Sequence, residues 1–288
     1  CEWGNGFLSS TQCLDDGEEL KLDLQIKDGH ATFDFSGTAS FRKDNLNATV
    51  AITQSAVCYC LRVLINKEIP LNEGLLKPVS IIIPQGSILS PTFSRIPCQC
   101  PGVAGGNVEV SQKLVDLILG AFDRVACSQG TMNNITFGNK SFSHYETVGG
   151  GSGAMIGSSG TSAVQVHMTN TAITDPEILE SRFPVRLVGF KIRKFSGGRG
   201  SWNGGDGIER IYIFEEKSNL SLLTQNRKCK PHGMDGGFSG QSGEQFVIRQ
   251  DGKRDNMKSV DSTIMNPGDR LILRTPGGGG AGFPDLLA

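Results

Sequence analysis

Glycine constrains this chain more than any other residue. Of 288 residues, 38 are glycine, well above the usual share of about 7%. They bunch at 102–106, 149–160, 197–207, 233–243 and 277–282, with no collagen-like period. A folded chain with such clusters needs many positive-φ turns, or stretches of backbone that approach one another closely.

Between the clusters the pattern is that of a globular protein. Leu20, Leu22, Leu24 and Ile26 alternate with polar residues, as do Ala31, Phe33 and Phe35, and Asp28-Gly29 separates the two runs. That spacing predicts a β-hairpin. Residues 45–65 carry a helical stripe of Val57, Cys60, Leu61 and Leu64, closed off by Pro70. "VSIII" at 79–83 reads as a buried strand stopped by Pro84. A second helix is predicted in "NVEVSQKLVDLILGAFDRV", with Leu114, Ile118, Ala121, Phe122 and Val125 on one face and Asn107 as N-cap. "SQGTMNNITFG", "HYETVGGG" and "AVQVHMTNT" (163–171) read as strands. Beyond residue 185 the short strands "GIERIYIF", "NLSLLTQ", "EQFVIRQ" and "DRLILRT" alternate with glycine-rich turns. The expected fold is α+β: a mixed helix-and-sheet body over 1–185, and a mainly β, glycine-rich part over 186–288 packed closely on it.

Several functions are disfavoured. Lys and Arg total 28 against 29 Asp and Glu, so no net field draws nucleic acid or an anionic membrane. No apolar run reaches the roughly 18 residues of a spanning helix, and a cytoplasmic location is expected. Cys1 opens the chain without a methionine or signal sequence, which reads as a piece of a longer polypeptide. Gly149-x-Gly151-x-x-Ala154 mimics a dinucleotide fingerprint, but "MIGSSGTSA" is a poor opening for the helix that should follow. There is neither a Walker A sequence nor a nucleophile elbow.

What remains is a set of polar strand motifs. Glu146 shares a strand face with His144 and precedes Gly149, Gly150 and Gly151, where backbone could approach a ligand. His167 is followed by Thr169, Asn170 and Thr171, hydrogen-bonding side chains that are costly to bury unpaired. "GGNVE", with Asn107 and Glu109, offers amides at a helix start. Residue chemistry points to a pocket for an anion or an amide.

Taken together, "RVLINKEIPLNEG", "GVAGGNVEVSQKLVDLILGA", "SQGTMNN", "YETVGGGSGA", "HMTNT", "GGRGSWNGGDG" and "PGDRLILRTPGGGGAG" resemble the hydantoinase B family, which includes the corresponding half of ATP-dependent 5-oxoprolinase. The resemblance runs in family order across nearly the whole chain. It implies an ATP-dependent amidohydrolase acting on a small cyclic amide such as 5-oxoproline or a hydantoin. A hydantoinase A-like subunit or fused domain would bind ATP and phosphorylate the ring carbonyl oxygen, and an oligomer is expected. The B part would then open the activated ring. The family's Asn-Asp-Pro and Gly-Thr-His motifs are absent, so a divalent metal would be held by the missing N-terminal half. Related ATP-dependent ketone carboxylases share the scaffold, and a purely docking role for the ATP-using partner is the non-catalytic alternative. The resemblance makes Glu146 and His167 the catalytic expectations. Asn107, Glu109, Gln129, Asn133, Asn134, Tyr145, Gly149, Gly150, Gly151, Thr169 and Asn170 are the expected substrate-binding residues. His144 stands where the family commonly has an aromatic residue, and Val110 and Lys113 replace an expected threonine and arginine.

The eight cysteines are Cys1, Cys13, Cys58, Cys60, Cys98, Cys100, Cys127 and Cys229. Two pairs are Cys-x-Cys, a spacing unsuited to the zinc knuckle, and Cys58 and Cys60 fall within a helical pattern on different faces. Elemental analysis should therefore find no stoichiometric zinc. One tightly bound zinc per chain, lost when Cys98 and Cys100 become serine, would overturn that reading.

Overall fold

The computed structural model describes residues 4–284 apart from 66, 69 and 71, so Cys1 lies outside the described residues. It confirms an α+β fold built from two compact units, Cys1–Arg124 and Val125–Ala288.

In the first unit, strands β1 (Gly6–Cys13), β2 (Glu19–Lys27), β3 (His30–Asp34) and β4 (Val79–Ile82) form a sheet in that order. The Asp28-Gly29 hairpin is present. Both residues have positive φ, 50° and 80°, as a two-residue type I′ turn requires. Strand β4 pairs parallel with β3 at the sheet edge and alternates half-buried and exposed residues, so "VSIII" is not the buried strand its composition suggests. Helices α1 (Val50–Leu64) and α2 (Ser111–Ala121) pack together, and α2 lies on β1 and β2. The core between them holds Leu20, Leu22, Leu24, Phe33, Val57, Cys60, Leu114 and Ile118. Each such side chain contributes about 1.5–3 kcal/mol on burial. A π-helical turn at Gly106–Val110 leads into α2, so Asn107 sits inside that turn and is not the N-cap. The two glycines ahead of it are needed for packing, because a Cβ at Gly105 or Gly106 would strike the backbone of residues 45–48.

The second unit is a two-layer β structure. Strands β5 (Asn134–Gly138) and β6 (Ser143–Glu146) are followed by α3 (Pro176–Arg182) and β7 (Val185–Arg193). Then come β8 (Gly207–Phe214), β9 (Ser218–Leu223), β10 (Glu244–Ile248), β11 (Arg254–Asn256), β12 (Val260–Met265) and β13 (Arg270–Arg274). One sheet has the order β11-β10-β13-β8-β7 and the other β12-β9-β5-β6, all antiparallel. Phe137, Tyr212, Phe214, Leu220, Leu271 and Leu273 fill the space between them. The boundary expected near residue 185 falls inside this unit. Strand β5 pairs with β9 across it, which commits residues on both sides to one sheet. Helix α3 went unread in the sequence, although Asp175 caps it through bonds from the Glu177 and Ile178 amides and Pro176 occupies its first turn.

The glycine clusters converge in this second unit. Residues 276–282 run extended through it, and their amides point in three directions in turn. Gly277 and Gly280 donate to Gln241 and Phe238, Gly278 and Ala281 to Gly205 and Trp202, and Gly279 to Cys127. A period of three is that of the polyproline II helix, here hydrogen-bonded to its neighbours on every side. Gly282, with φ 71°, ends the pattern. The packing leaves no room for side chains. A Cβ at Gly278 would fall against the Ser152 carbonyl, and one at Gly279 against that of His232.

Gly278→Ala should therefore destabilise the protein by about 3 kcal/mol, the upper end of ordinary overpacking. Gly120→Ala, in α2, meets only Ser10 Oγ at 3.6 Å and should gain about 0.5–1 kcal/mol. Urea unfolding of both variants checks the contrast.

Candidate functional site

Most of the residues singled out in the sequence belong to the second unit, where β6 delivers Glu146 to the interior. Its carboxylate is not open. Arg210 Nη1 donates to Oε2 at 2.6 Å, Tyr212 Oη donates to Oε2 at 3.0 Å, and the Thr174 amide donates to Oε1 at 2.8 Å. His144 Nε2 lies 3.9 Å from Oε2, too far for a hydrogen bond. Burial by itself would raise the pKa of this carboxyl. The opposing pull of His144, the Arg210 charge and the Thr174 and Arg210 hydrogen bonds brings it down to about 2. A carboxylate so held is a weak proton acceptor near neutral pH, and in this structure Glu146 is a buried ion-pair partner of Arg210. His144 lies between the rings of Phe137 and Phe183, with centroids 4.9 and 4.8 Å away. It fills the niche of an aromatic residue.

The other expected residues fare differently. "AVQVHMTNT" is an irregular loop, not a strand, with Ala163 and His167 in the left-handed region at φ 57° and 53°. Side-chain alternation is lost there, and the expected sharing of a face by His167, Thr169 and Thr171 goes with it. Gly149–Gly151 is no ligand cradle either. The Gly150 amide donates to Val164 and the Gly151 amide to Pro276, while the Gly149 carbonyl accepts from Thr275 Oγ1. These glycines serve close packing, since a Cβ on Gly151 would strike the Gly205 carbonyl. Gln129 and Asn133 are tied into an internal network. Asn133 Nδ2 donates to Gln129 Oε1 at 2.8 Å and to the Val148 carbonyl at 3.0 Å, and Arg227 Nη2 donates to Asn133 Oδ1 at 2.8 Å. Asn134 Oδ1 accepts from Tyr145 Oη at 2.6 Å on the outer side of β5 and β6, where Tyr145 is 56% exposed. Asn107 and Glu109 belong to the first unit. There the Asn107 carbonyl accepts from Ser111 Oγ, and Glu109 is buried.

What the structure does bring together is a cleft of about 540 Å³. Gly149, Thr169 and Asn170 line it with Gln165, Thr171, Ile173, Phe190 and Ile208, whereas Glu146 and His167 do not. Thr147 Oγ1 and Thr171 Oγ1 share a 2.6 Å bond, and Gln165 Nε2 donates to Thr147 Oγ1 at 3.1 Å. Beneath Phe190 lies Arg210, fully buried, its guanidinium carbon 5.0 Å from the Phe190 ring centroid and 5.1 Å from that of Tyr212. Gln165, Phe190 and Arg210 were missed in the sequence. For Arg210 a signal existed: Ile208, Arg210, Tyr212 and Phe214 share the inward face of β8. A cation on an apolar strand face must find a buried partner.

Glu146→Gln keeps the shape and leaves Arg210 buried without its counter-charge, which should cost about 3–5 kcal/mol at pH 7. The folded pKa is depressed, from 4.5 to about 2. The Glu146 contribution, about 3 kcal/mol, is thus fully present above pH 4.5 and lost as pH falls through about 2. Unfolding measured across that window should show the stability difference between wild type and Glu146→Gln shrinking toward acid. A difference independent of pH would contradict the buried ion pair.

Comparison with known proteins gives this architecture relatives. The chain is 46% identical to 5-oxoprolinase 1 of Arabidopsis thaliana over 93% of its own length. It spans about a fifth of the length of these 5-oxoprolinases, 21% of that protein and 22% of a 5-oxoprolinase from Dictyostelium discoideum. The fold is similar to that of the ATP-dependent caprolactamase from Pseudomonas jessenii, with TM-score 0.84, 20% identity and coverage of 99% of this chain and 53% of that one. It is also similar to nucleotide-free acetone carboxylase, with TM-score 0.78, 16% identity and coverage of 97% and 45%. The family described as Hydantoinase B/oxoprolinase matches residues 2–284, and the chain belongs to that family.

Proposed function

We propose that this chain is the B-type portion of an ATP-dependent enzyme that opens a small cyclic amide, with 5-oxoproline as the first substrate to test. The observation that carries the reading is the 46% identity to 5-oxoprolinase 1 across 93% of the chain. The likenesses to caprolactamase and acetone carboxylase, at 20% and 16% identity, speak for the fold alone. They do not favour a ketone substrate over a lactam.

Within this reading the chain holds the lactam and another part of the protein holds the nucleotide. The glycine loop 149–151 does not fit a phosphate, because the Gly150 and Gly151 amides already donate to Val164 and Pro276 carbonyls. A hydantoinase A-like domain or subunit is the proposed ATP site, and ATP supplies activation of the ring carbonyl oxygen. The contribution of this chain is the cleft beside Gly149. It combines polar side chains (Gln165, Thr169, Thr171) with apolar ones (Ile173, Phe190, Ile208). Such a mixture suits a small ring that carries one amide and several methylenes.

Full-length protein, supplied with its A-type partner where that is a separate chain, should convert 5-oxoproline to glutamate and release ADP in step. This chain alone should release no ADP. Absence of glutamate from 5-oxoproline alongside turnover of hydantoin or acetone would replace the substrate. Absence of any turnover would overturn the enzymatic reading.

A further inference from the structure

The two edges of the five-stranded sheet differ in character. One edge is β11, three residues reading Arg254, Asp255 and Asn256, short and charged as edges that face water are. The other is β7, nine residues long, where Val188, Phe190 and Ile192 are each about half exposed and Phe195, just beyond the strand, is 86% exposed. Its charges do not guard it. Lys191 reaches back to Glu209 on β8 at 3.0 Å, and Arg193 Nη1 donates to the Ser242 and Thr275 carbonyls. Its backbone is open as well. Successive residues of an antiparallel strand bond to the neighbour on one side and then on the other. The Thr275 amide donates to the Ile208 carbonyl and the Phe214 amide to the Asp269 carbonyl, so the even-numbered residues of β8 face β13. Opposite them on β7, Phe190 and Ile192 stand in non-bonded pairs with Arg210 and Ile208 and turn their amides outward. No described residue accepts from those amides. The first half of the strand is closed, because it is bulged at Val188 and the Leu187 amide donates to Glu180 Oε1.

An apolar, unpaired edge invites a further strand, and the relatives carry the chain to supply one. This chain covers 47% of a Methanocaldococcus jannaschii protein 36% identical to it, 53% of the caprolactamase chain and 45% of the acetone carboxylase chain. Each of these polypeptides therefore joins the present fold to about as much chain again. We propose that the Phe190–Ile192 edge of β7, with Phe195 beyond it, is the docking surface for the other half of the B-type polypeptide, an extended segment of which adds to the sheet as a further strand. A segment on the same polypeptide meets this edge at a higher effective concentration than a separate chain does. A second copy suits the edge poorly. Two β7 strands related by a two-fold axis would bring Lys191, Arg193 and Lys194 of one copy near the same residues of the other. The incoming strand is accordingly apolar where it meets Phe190 and Ile192, and free of basic residues beside Lys191. Phe190 also lines the cleft beside Gly149, so the docked segment forms part of that cleft's wall. The proposal concerns how the B-type portion is assembled and holds whichever ring the enzyme opens.

The test uses the full-length protein with p-benzoylphenylalanine introduced in place of Ile192, of Phe195 or of Ile264, which is about as exposed as Ile192 but lies on β12 at the edge of the other sheet. After irradiation, peptide mapping identifies what each position touches. Positions 192 and 195 should capture the half of the B-type portion outside residues 1–288, within one polypeptide and with no gain in mass on a denaturing gel. Position 264 should not. Capture of a second copy, of a hydantoinase A-like part or of nothing would each overturn the proposal, as would equal capture from position 264. A second measurement needs no substitution. Hydrogen exchange of the wild-type full-length protein, read residue by residue, should find the Phe190 and Ile192 amides protected at least about 100-fold relative to open chain, as amides in a formed ladder are. Exchange of both at the open-chain rate would mean that the edge stays bare, and the docking assignment would fall.

Discussion

The three-way hydrogen bonding of residues 276–282 is the constraint on which the second unit depends. An ordinary strand in a sheet has partners on two sides. Here successive amides reach segments near residues 127, 205 and 241 in rotation, so one stretch of chain organises three others. From Gly277 to Gly280 the arrangement is open only to glycine, because backbone sits where each Cβ would be. Ala126, Ala154, Met234 and Ala281, with Trp202 against them, form an apolar cluster within it. Backbone hydrogen bonding and close packing therefore hold this region, and burial of large side chains contributes little. The Gly149–Gly151 run, engaged by the same bundle through Pro276, fixes one edge of the cleft.

A second polar device ties the two sheets together. Glu146 comes from the four-stranded sheet, and Arg210 and Tyr212 from the five-stranded one. The clamp crosses a core that is otherwise aromatic and aliphatic. Removing either charge alone leaves the other stranded in a low-dielectric interior, so the pair is maintained as a unit. Its by-product is a cation beneath Phe190 whose Nε and Nη2 have no hydrogen-bond partner among the described residues.

Much of the fold was legible in the sequence. The Asp28-Gly29 hairpin, α1, α2 and strands β8, β9, β10 and β13 follow from alternation, helical spacing and turn residues, all of which are local. Strand β7 was not read, because Val188, Phe190 and Ile192 are exposed at a sheet edge and break the usual pattern of apolar-in and polar-out. The 163–171 loop was misread as a strand for the converse reason. Its β-prone composition is overridden by left-handed turns at Ala163 and His167. The site was legible only as a neighbourhood. Thr169, Asn170 and Gly149 do line the cleft, but the fate of Glu146 depended on Arg210, 64 residues away along the chain. Motif reading has no access to a partner at that distance. Nor could it foresee that the glycine run would bind backbone in place of a ligand.

The bundle also sets an order on how the polypeptide reaches its native state. Segments around residues 127, 152, 202 and 238 are made long before residues 276–282, yet it is these last residues that receive and supply their hydrogen bonds. Until these residues are available, the earlier glycine runs lack these partners and their amides are left to water. The second unit accordingly closes late and as a whole, through contacts of high sequence separation. A growing chain that pauses before that point exposes a sandwich with its binding strand missing, which is a substrate for chaperones and for proteases.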